Sequence, residues 1–220
     1  SADALAERRS GLAGQGERLE FYDSTLRRSW IGKNVQDEHT YLGNLLFLTG
    51  HHLAGWMVWD ALCGVELMVG RYGIDPARLG VTGADGGAHL ARLLCCVDER
   101  IKAAVLVGDS IEPEALDGAD SEQSLFDLIP RGVTSLDLLV PFAPRALLLA
   151  HSSAEKAGAR ANAVLAELQR WYEMLGAKDE LSAFVAEGQA GYIKATRARA
   201  VEHFAAAFGL REERVREPES

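Results

Sequence analysis

Basic charge, paired cysteine and long uninterrupted apolar runs are all scarce in this 220-residue chain. Lysine and arginine total 23 against 32 aspartate and glutamate, a formal net charge of -9, with the basic residues scattered among acids. A polyanion-binding surface needs a basic patch or stripe, so nucleic acid is not an expected partner. Cys63, Cys95 and Cys96 are an odd number at no metal-ligand spacing, all within apolar helical patterns. That predicts reduced core thiols, with no metal site and no cofactor. No apolar run is read as approaching the roughly 18 residues of a membrane span, and Ser1–Arg9 lacks the form of a signal peptide. The expectation is a soluble, cytoplasmic chain, with or without a cleaved leader, and no membrane partner.

What is present is ordinary globular composition, 48% hydrophobic and 25% charged. It predicts one domain over residues 1–210 with a sizeable core, and a solvated tail over 211–220. Helical spacing is read over 2–13, 53–72, 87–97, 159–175 and 193–208. Strands are read at 18–23, 79–84, 103–108, 146–150 and 181–185. Residues 24–51 form a long excursion with one short helix around 41–48. Residues 109–143, with amphipathic pieces at 125–129 and 136–140, read as a cap or insertion. Strands alternating with helices call for an α/β architecture, a mostly parallel sheet with helices on both faces. Ligands of such sheets bind at the carboxyl ends of the strands. Asp85, His151–Glu155 and Glu187–Tyr192 all fall at such ends.

The organising stretch is Arg78-Leu79-Gly80-Val81-Thr82-Gly83-Ala84-Asp85-Gly86-Gly87-Ala88-His89, a short strand passing through small residues into a helix. In the form G-x-S-x-G such a turn is the nucleophile elbow of α/β-hydrolases, where crowding demands glycine and the nucleophile stands above the sheet. Taken together with Leu53–Leu62, Ile74-Asp75-Pro76-Ala77-Arg78, Val97-Asp98-Glu99-Arg100-Ile101-Lys102-Ala103-Ala104-Val105 and Ala143-Pro144-Arg145-Ala146-Leu147-Leu148-Leu149, it resembles the acetyl-xylan-esterase-like branch of the α/β-hydrolases, from about Gly50 to Gly209. The resemblance implies the α/β-hydrolase fold and removal of acetyl or similar acyl groups from carbohydrates or other esters. It assigns the elbow serine to Asp85, the acid to Glu155 and the catalytic histidine to Ala190. It also implies that the first strands of the family's sheet are missing; an open gap would leave backbone groups unpaired at high cost, so the expectation is that a protein partner or a second copy completes the sheet, or that the chain is a fragment of a longer protein.

Alanine can neither take nor return a proton, so a Ser-His-acid mechanism has lost two of its three groups. The function expected is that of a catalytically impaired, esterase-like protein acting as a binding or complex-forming subunit, its ligand a small ester or acylated carbohydrate. The alternative is an active ester hydrolase using Asp85, or a base from another chain. Asp85 reads either as a nucleophile or as a carboxylate capping the helix that begins near Gly86. His151 reads either as a displaced base or as a solvent-facing loop histidine. Glu155 also fits an ordinary helix entry. His89 is expected to pack against the sheet or loops, and His203 to run from surface to core beside Phe204 and Phe208. The adjacent His51 and His52 cannot share a helix face, which argues against a metal pair. Gly80, Gly83, Gly86 and Gly87 fail the G-x-G-x-x-G spacing of a dinucleotide site, and Asp85 would repel a phosphate. Trp56 and Trp59, three residues apart, are expected on one buried helix face.

Overall fold

The computed structural model describes residues 22–23, 25, 28–29, 35–109, 131–153, 159–188 and 191–210. The helix read over 2–13, strand residues 18–21, the piece at 125–129, Glu155, Ala190 and the tail at 211–220 lie outside them. The chain divides between Tyr72 and Gly73 into two compact units.

In the first unit, β1 (Tyr22–Asp23) and β2 (Arg28–Ser29) form a short antiparallel ribbon. The Asp23 carboxylate accepts the Thr25 N–H at 2.7 Å inside its turn, the local bond that makes aspartate a turn residue. Of the strand expected at 18–23, the described residues Tyr22 and Asp23 pair with Ser29 and Arg28 across this hairpin. Helix α1 (Val35–Leu48) is longer than the short helix expected at 41–48. Asp37 and Glu38 in its first turn suit the positive end of the helix dipole. It ends where Gly50 takes φ +78° and the His51 N–H bonds the Leu46 carbonyl at 2.9 Å, a left-handed stop that glycine permits at little cost.

Helix α2 (Leu53–Tyr72) matches its expected bounds, but its packing does not match. Only Leu53, Ala54 and Met57 are buried, while Trp56 and Trp59 are 49% and 68% exposed. The two tryptophans therefore share an open face, and Cys63 on the same helix is exposed too, not a core thiol. An 18-residue window of this helix reaches a mean hydropathy of 1.3, with 17% of it buried. By length and composition it is a candidate span, which the count of uninterrupted apolar residues missed because Asp60 and Glu66 break the run.

The second unit holds a four-stranded, all-parallel sheet in the order β3 (Leu79–Ala84), β4 (Ile101–Val107), β5 (Ala146–Ser152), β6 (Leu181–Ala186). Strands β4 and β5 are nearly continuous apolar runs because helices cover both faces. On one face α6 (Lys194–Ala207) packs across β4, β5 and β6. Its Ala200 and Phe204 meet Val105, Val107, Leu148 and Ala150. On the other, α3 (Gly86–Val97) packs on β3 and β4, with α4 (Ser135–Leu139) against α3 and α5 (Ala159–Met174) against α4. Among the described residues β3 is an edge strand, so the sheet ends at the strand that carries the elbow.

The amino ends of the strands are fastened by one side chain. All five guanidinium N–H groups of Arg145 find carbonyls: Nε bonds Phe142 at 3.0 Å, Nη1 bonds Asp98 and Ile101 at 3.1 and 2.9 Å, and Nη2 bonds Cys95 and Pro141 at 2.8 and 3.2 Å. The guanidinium also lies 4.2 Å above the Phe142 ring. The buried Tyr172 of α5 donates to the Arg145 carbonyl at 2.7 Å. The Ala143-Pro144-Arg145 motif is therefore a staple of the fold. Beside it Cys95 is buried, which pushes its thiol up to about 12 and keeps it inert.

Candidate functional site

At the carboxyl end of β3 the chain turns through Asp85 with φ +50° and ψ -120°, and Asp85 is the one non-glycine residue with positive φ among those described. Backbone bonds hold the turn on both sides. The Asp85 N–H donates to the Val107 carbonyl at 3.0 Å, and its own carbonyl accepts from Ala88 and His89 at 2.9 and 3.1 Å. A Cβ on Gly83 would overlap the carbonyl of Gly87 and come within 2.7 Å of the Ala88 nitrogen, so glycine is required there for close approach. Gly87 has open space where its Cβ would stand. Of the two outer glycines of the pattern, only the first is demanded by crowding.

The Asp85 side chain is exposed and makes no capping bond to α3. The reading of Asp85 as a helix cap is corrected on this point: its backbone is turned out of the extended region from which capping residues reach the first-turn N–H groups. What remains is a carboxylate raised above the strand ends on a strained backbone, the posture of a nucleophile elbow.

No described imidazole bonds to it. Among the described residues no hydrogen bond or ion pair reaches the Asp85 carboxylate. His151 is not a loop residue. It is the sixth residue of β5, half-buried and in register with Val185. His89 follows one turn after Asp85, and its Nδ1 lies 2.7 Å from Arg92 Nη2. Arginine has only donors, so Nδ1 accepts and the proton of the neutral ring sits on Nε2. His203 on α6 stands edge-on to Phe204, 5.9 Å between ring centroids, and burial lowers its pKa. His51 is exposed and His52 meets Phe47 edge-on at 6.1 Å. No cluster of metal-binding side chains occurs among the described residues.

Below the elbow lies a group that the sequence reading did not single out. Arg92 of α3 and Asp109, two residues beyond β4, are both buried and pair at 3.2 Å. Burial raises the Asp109 carboxyl to about 6, with the Arg92 charge pulling the other way. The pair ties the elbow helix to the end of the neighbouring strand. Its signal in the sequence was a lone arginine in the apolar run Leu90-Ala91-Arg92-Leu93-Leu94, since an arginine in such a run stays buried only when paired. On the α6 side Thr82 Oγ1 and Tyr192 Oη are 2.9 Å apart, and Arg197 donates to the Tyr192 carbonyl at 2.9 Å. Ser152 donates to the Gly188 carbonyl at 3.0 Å and the Gly188 N–H donates to Ser153 Oγ at 3.2 Å. The last two bonds tie the end of β5 to the residues just after β6.

No family model matches the chain. Over 71 residues it is 30% identical to a protein of Bacillus subtilis (strain 168) described as "Putative hydrolase YtaP", a match covering 32% of this chain and 24% of that protein. Among solved structures it is similar to the methylesterase BT1017, with a TM-score of 0.67 and 23% identity over 93% of this chain and 42% of the other. A protein of Bacteroides fragilis described as a "putative acetyl xylan esterase" gives 0.63 and 16%, covering 79% and 44%. A glucuronoyl esterase from Solibacter usitatus gives 0.59 and 14%, covering 72% and 50%. The chain spans about a quarter of the matched hydrolase and half or less of each of these esterases. Its structural neighbours are esterases, and its fold is the α/β-hydrolase fold with the first strands absent from the described sheet.

Proposed function

We propose that this α/β-hydrolase-fold chain is an esterase-like protein that binds a small ester or acylated carbohydrate without hydrolysing it, as a binding or complex-forming subunit. One observation carries the reading: the nucleophile's place is held in full elbow geometry by a carboxylate that no described imidazole reaches. Chemistry points the same way. A carboxylate attacking an ester carbonyl must expel an alkoxide, a far stronger base than itself, and would leave a high-energy anhydride. A serine avoids this because its partner histidine takes the hydroxyl proton and returns it to the leaving group. The ligand class follows the structural neighbours, which are esterases, and the Asp85 carboxylate would accept hydrogen bonds from sugar hydroxyls.

The complex-forming part rests on the edge of β3. The Asp85 N–H points to β4, so by alternation along the strand the N–H and C=O groups of Gly80, Thr82 and Ala84 face the open edge. Leu79–Ala84 carries no charge and no proline, the usual protections of a free edge. A strand from a partner chain or a second copy would pair there.

The test is turnover of p-nitrophenyl acetate by the native protein beside Asp85→Ala. Both are expected at the buffer background, with acetylated xylo-oligosaccharide binding weakened in the variant. Turnover above background that disappears in Asp85→Ala would overturn the binding reading and favour the active hydrolase. That second reading has its own support in the strained backbone kept at Asp85, because such strain gathers at working sites.

A further inference from the structure

We propose that Asp85–Gly86 is a site of spontaneous backbone modification, at which the aspartate closes to a succinimide and reopens partly as isoaspartate. The backbone is already shaped for closure. In an L residue the amide nitrogen and Cβ stand a third of a turn apart about Cα, so the Asp85 ψ of -120° brings the Gly86 nitrogen into line with Cβ on one side of the Cα–C bond. That is the arrangement of the five-membered imide, made of the Gly86 nitrogen and the Asp85 C, Cα, Cβ and Cγ. Closure then needs only a rotation about Cα–Cβ, and the exposed side chain has no described hydrogen bond to resist it. Gly86 opens α3, so its N–H is among the first-turn donors with no intrahelical acceptor. It also has no side chain to crowd the attack.

In the step itself the Gly86 nitrogen attacks Cγ of the protonated carboxyl. The N–Cγ bond forms, the amide proton passes to solvent, and the carboxyl oxygen leaves as water. A second water then opens the imide. Addition at Cγ restores aspartate. Addition at the main-chain carbonyl reroutes the chain through Cβ and leaves a free α-carboxylate. No oxidant or other co-reactant takes part. The isoaspartyl product adds a methylene to the elbow and moves its charge, so it would disable a site at Asp85 whatever that site does. The inference rests on the elbow geometry alone and stands independently of ester binding.

The chain contains one other Asp-Gly pair, Asp117–Gly118, which serves as an internal reference. Native protein and protein unfolded in urea are incubated side by side at mildly acidic pH and mapped by mass spectrometry with electron-transfer fragmentation. The expected result is that Asp85 isomerises about tenfold faster folded than unfolded, as preorganisation of a ring closure predicts. A species lighter by one water should appear at the same peptide, and the ratio of Asp85 to Asp117 should rise on folding. An Asp85 rate in the folded protein at or below the unfolded rate overturns the proposal. Asp85→Asn gives a second reading through the same imide with loss of ammonia: conversion faster folded than unfolded supports it, and slower conversion contradicts it.

Discussion

The two ends of one parallel sheet obey different rules in this molecule. At the amino ends Arg145 satisfies every donor it has, Tyr172 closes over its carbonyl, and Asp98 grips Arg100 through both carboxylate oxygens. The Arg100 hydrogen bonds hold the Asp98 carboxyl below its usual range. At the carboxyl ends Asp85 sits on a strained backbone with a carboxylate that no described residue bonds, beside the elbow helix that carries one half of a buried ion pair. One end has its polar groups matched, while the other keeps a costly geometry. The lesson is that one sheet can satisfy its polar groups at one end and hold a strained, exposed carboxylate at the other.

The comparison would break most visibly at the amino end. Arg145→Ala strands five carbonyls, and we expect a loss of about 3–5 kcal/mol in urea unfolding. Arg145→Lys should recover only part of it, because an ammonium has three donors and no planar fork. Equal stability of the alanine variant and the native protein would remove the contrast.

At the carboxyl end the largest effect belongs to the buried pair. Arg92→Leu leaves Asp109 charged in the interior, at a cost of about 3–5 kcal/mol at neutral pH. The sign with pH follows from the raised carboxyl. The native state holds its proton more tightly than the unfolded chain, so this group's contribution falls as pH climbs from the ordinary carboxylate value towards about 6. Without Arg92 that fall should extend to higher pH, and the deficit of the variant should shrink on acidification. Denaturant midpoints of both proteins over a pH series would read it, and a deficit independent of pH would contradict the assignment. A smaller effect is expected where Tyr192 meets Thr82. Tyr192→Phe should cost about 1 kcal/mol, with Thr82→Val non-additive in a double-mutant cycle.

The legible parts of the sequence were those where periodicity or small residues act locally. Helix α2 and strands β3 to β6 were placed to within a few residues, because apolar runs between turn signals leave little choice. The elbow was visible through Gly83 and the residues around it. Packing was less legible. A helical spacing of Trp56 and Trp59 says that they share a face, and says nothing of whether anything covers that face. Alternation at the end of the strand expected at 18–23 likewise cannot tell a sheet strand from the hairpin in which Tyr22 and Asp23 pair. Arg92 and Asp109 are 17 residues apart in sequence, and only the β3–α3–β4 crossover brings them together. The role of Asp85 was ambiguous because a cap and an elbow use the same residue type, and the sign of φ separates them.

If Asp85 is held in its conformation for the site and not for the fold, the stability of Asp85→Gly shows it most directly. Glycine accepts positive φ freely and no side-chain cap is lost, so relief of strain should outweigh the added chain entropy. The variant is expected to be more stable by about 0.5–1 kcal/mol in equilibrium unfolding. A variant less stable than the native protein would mean that Asp85 supports the helix after all, and would contradict the claim.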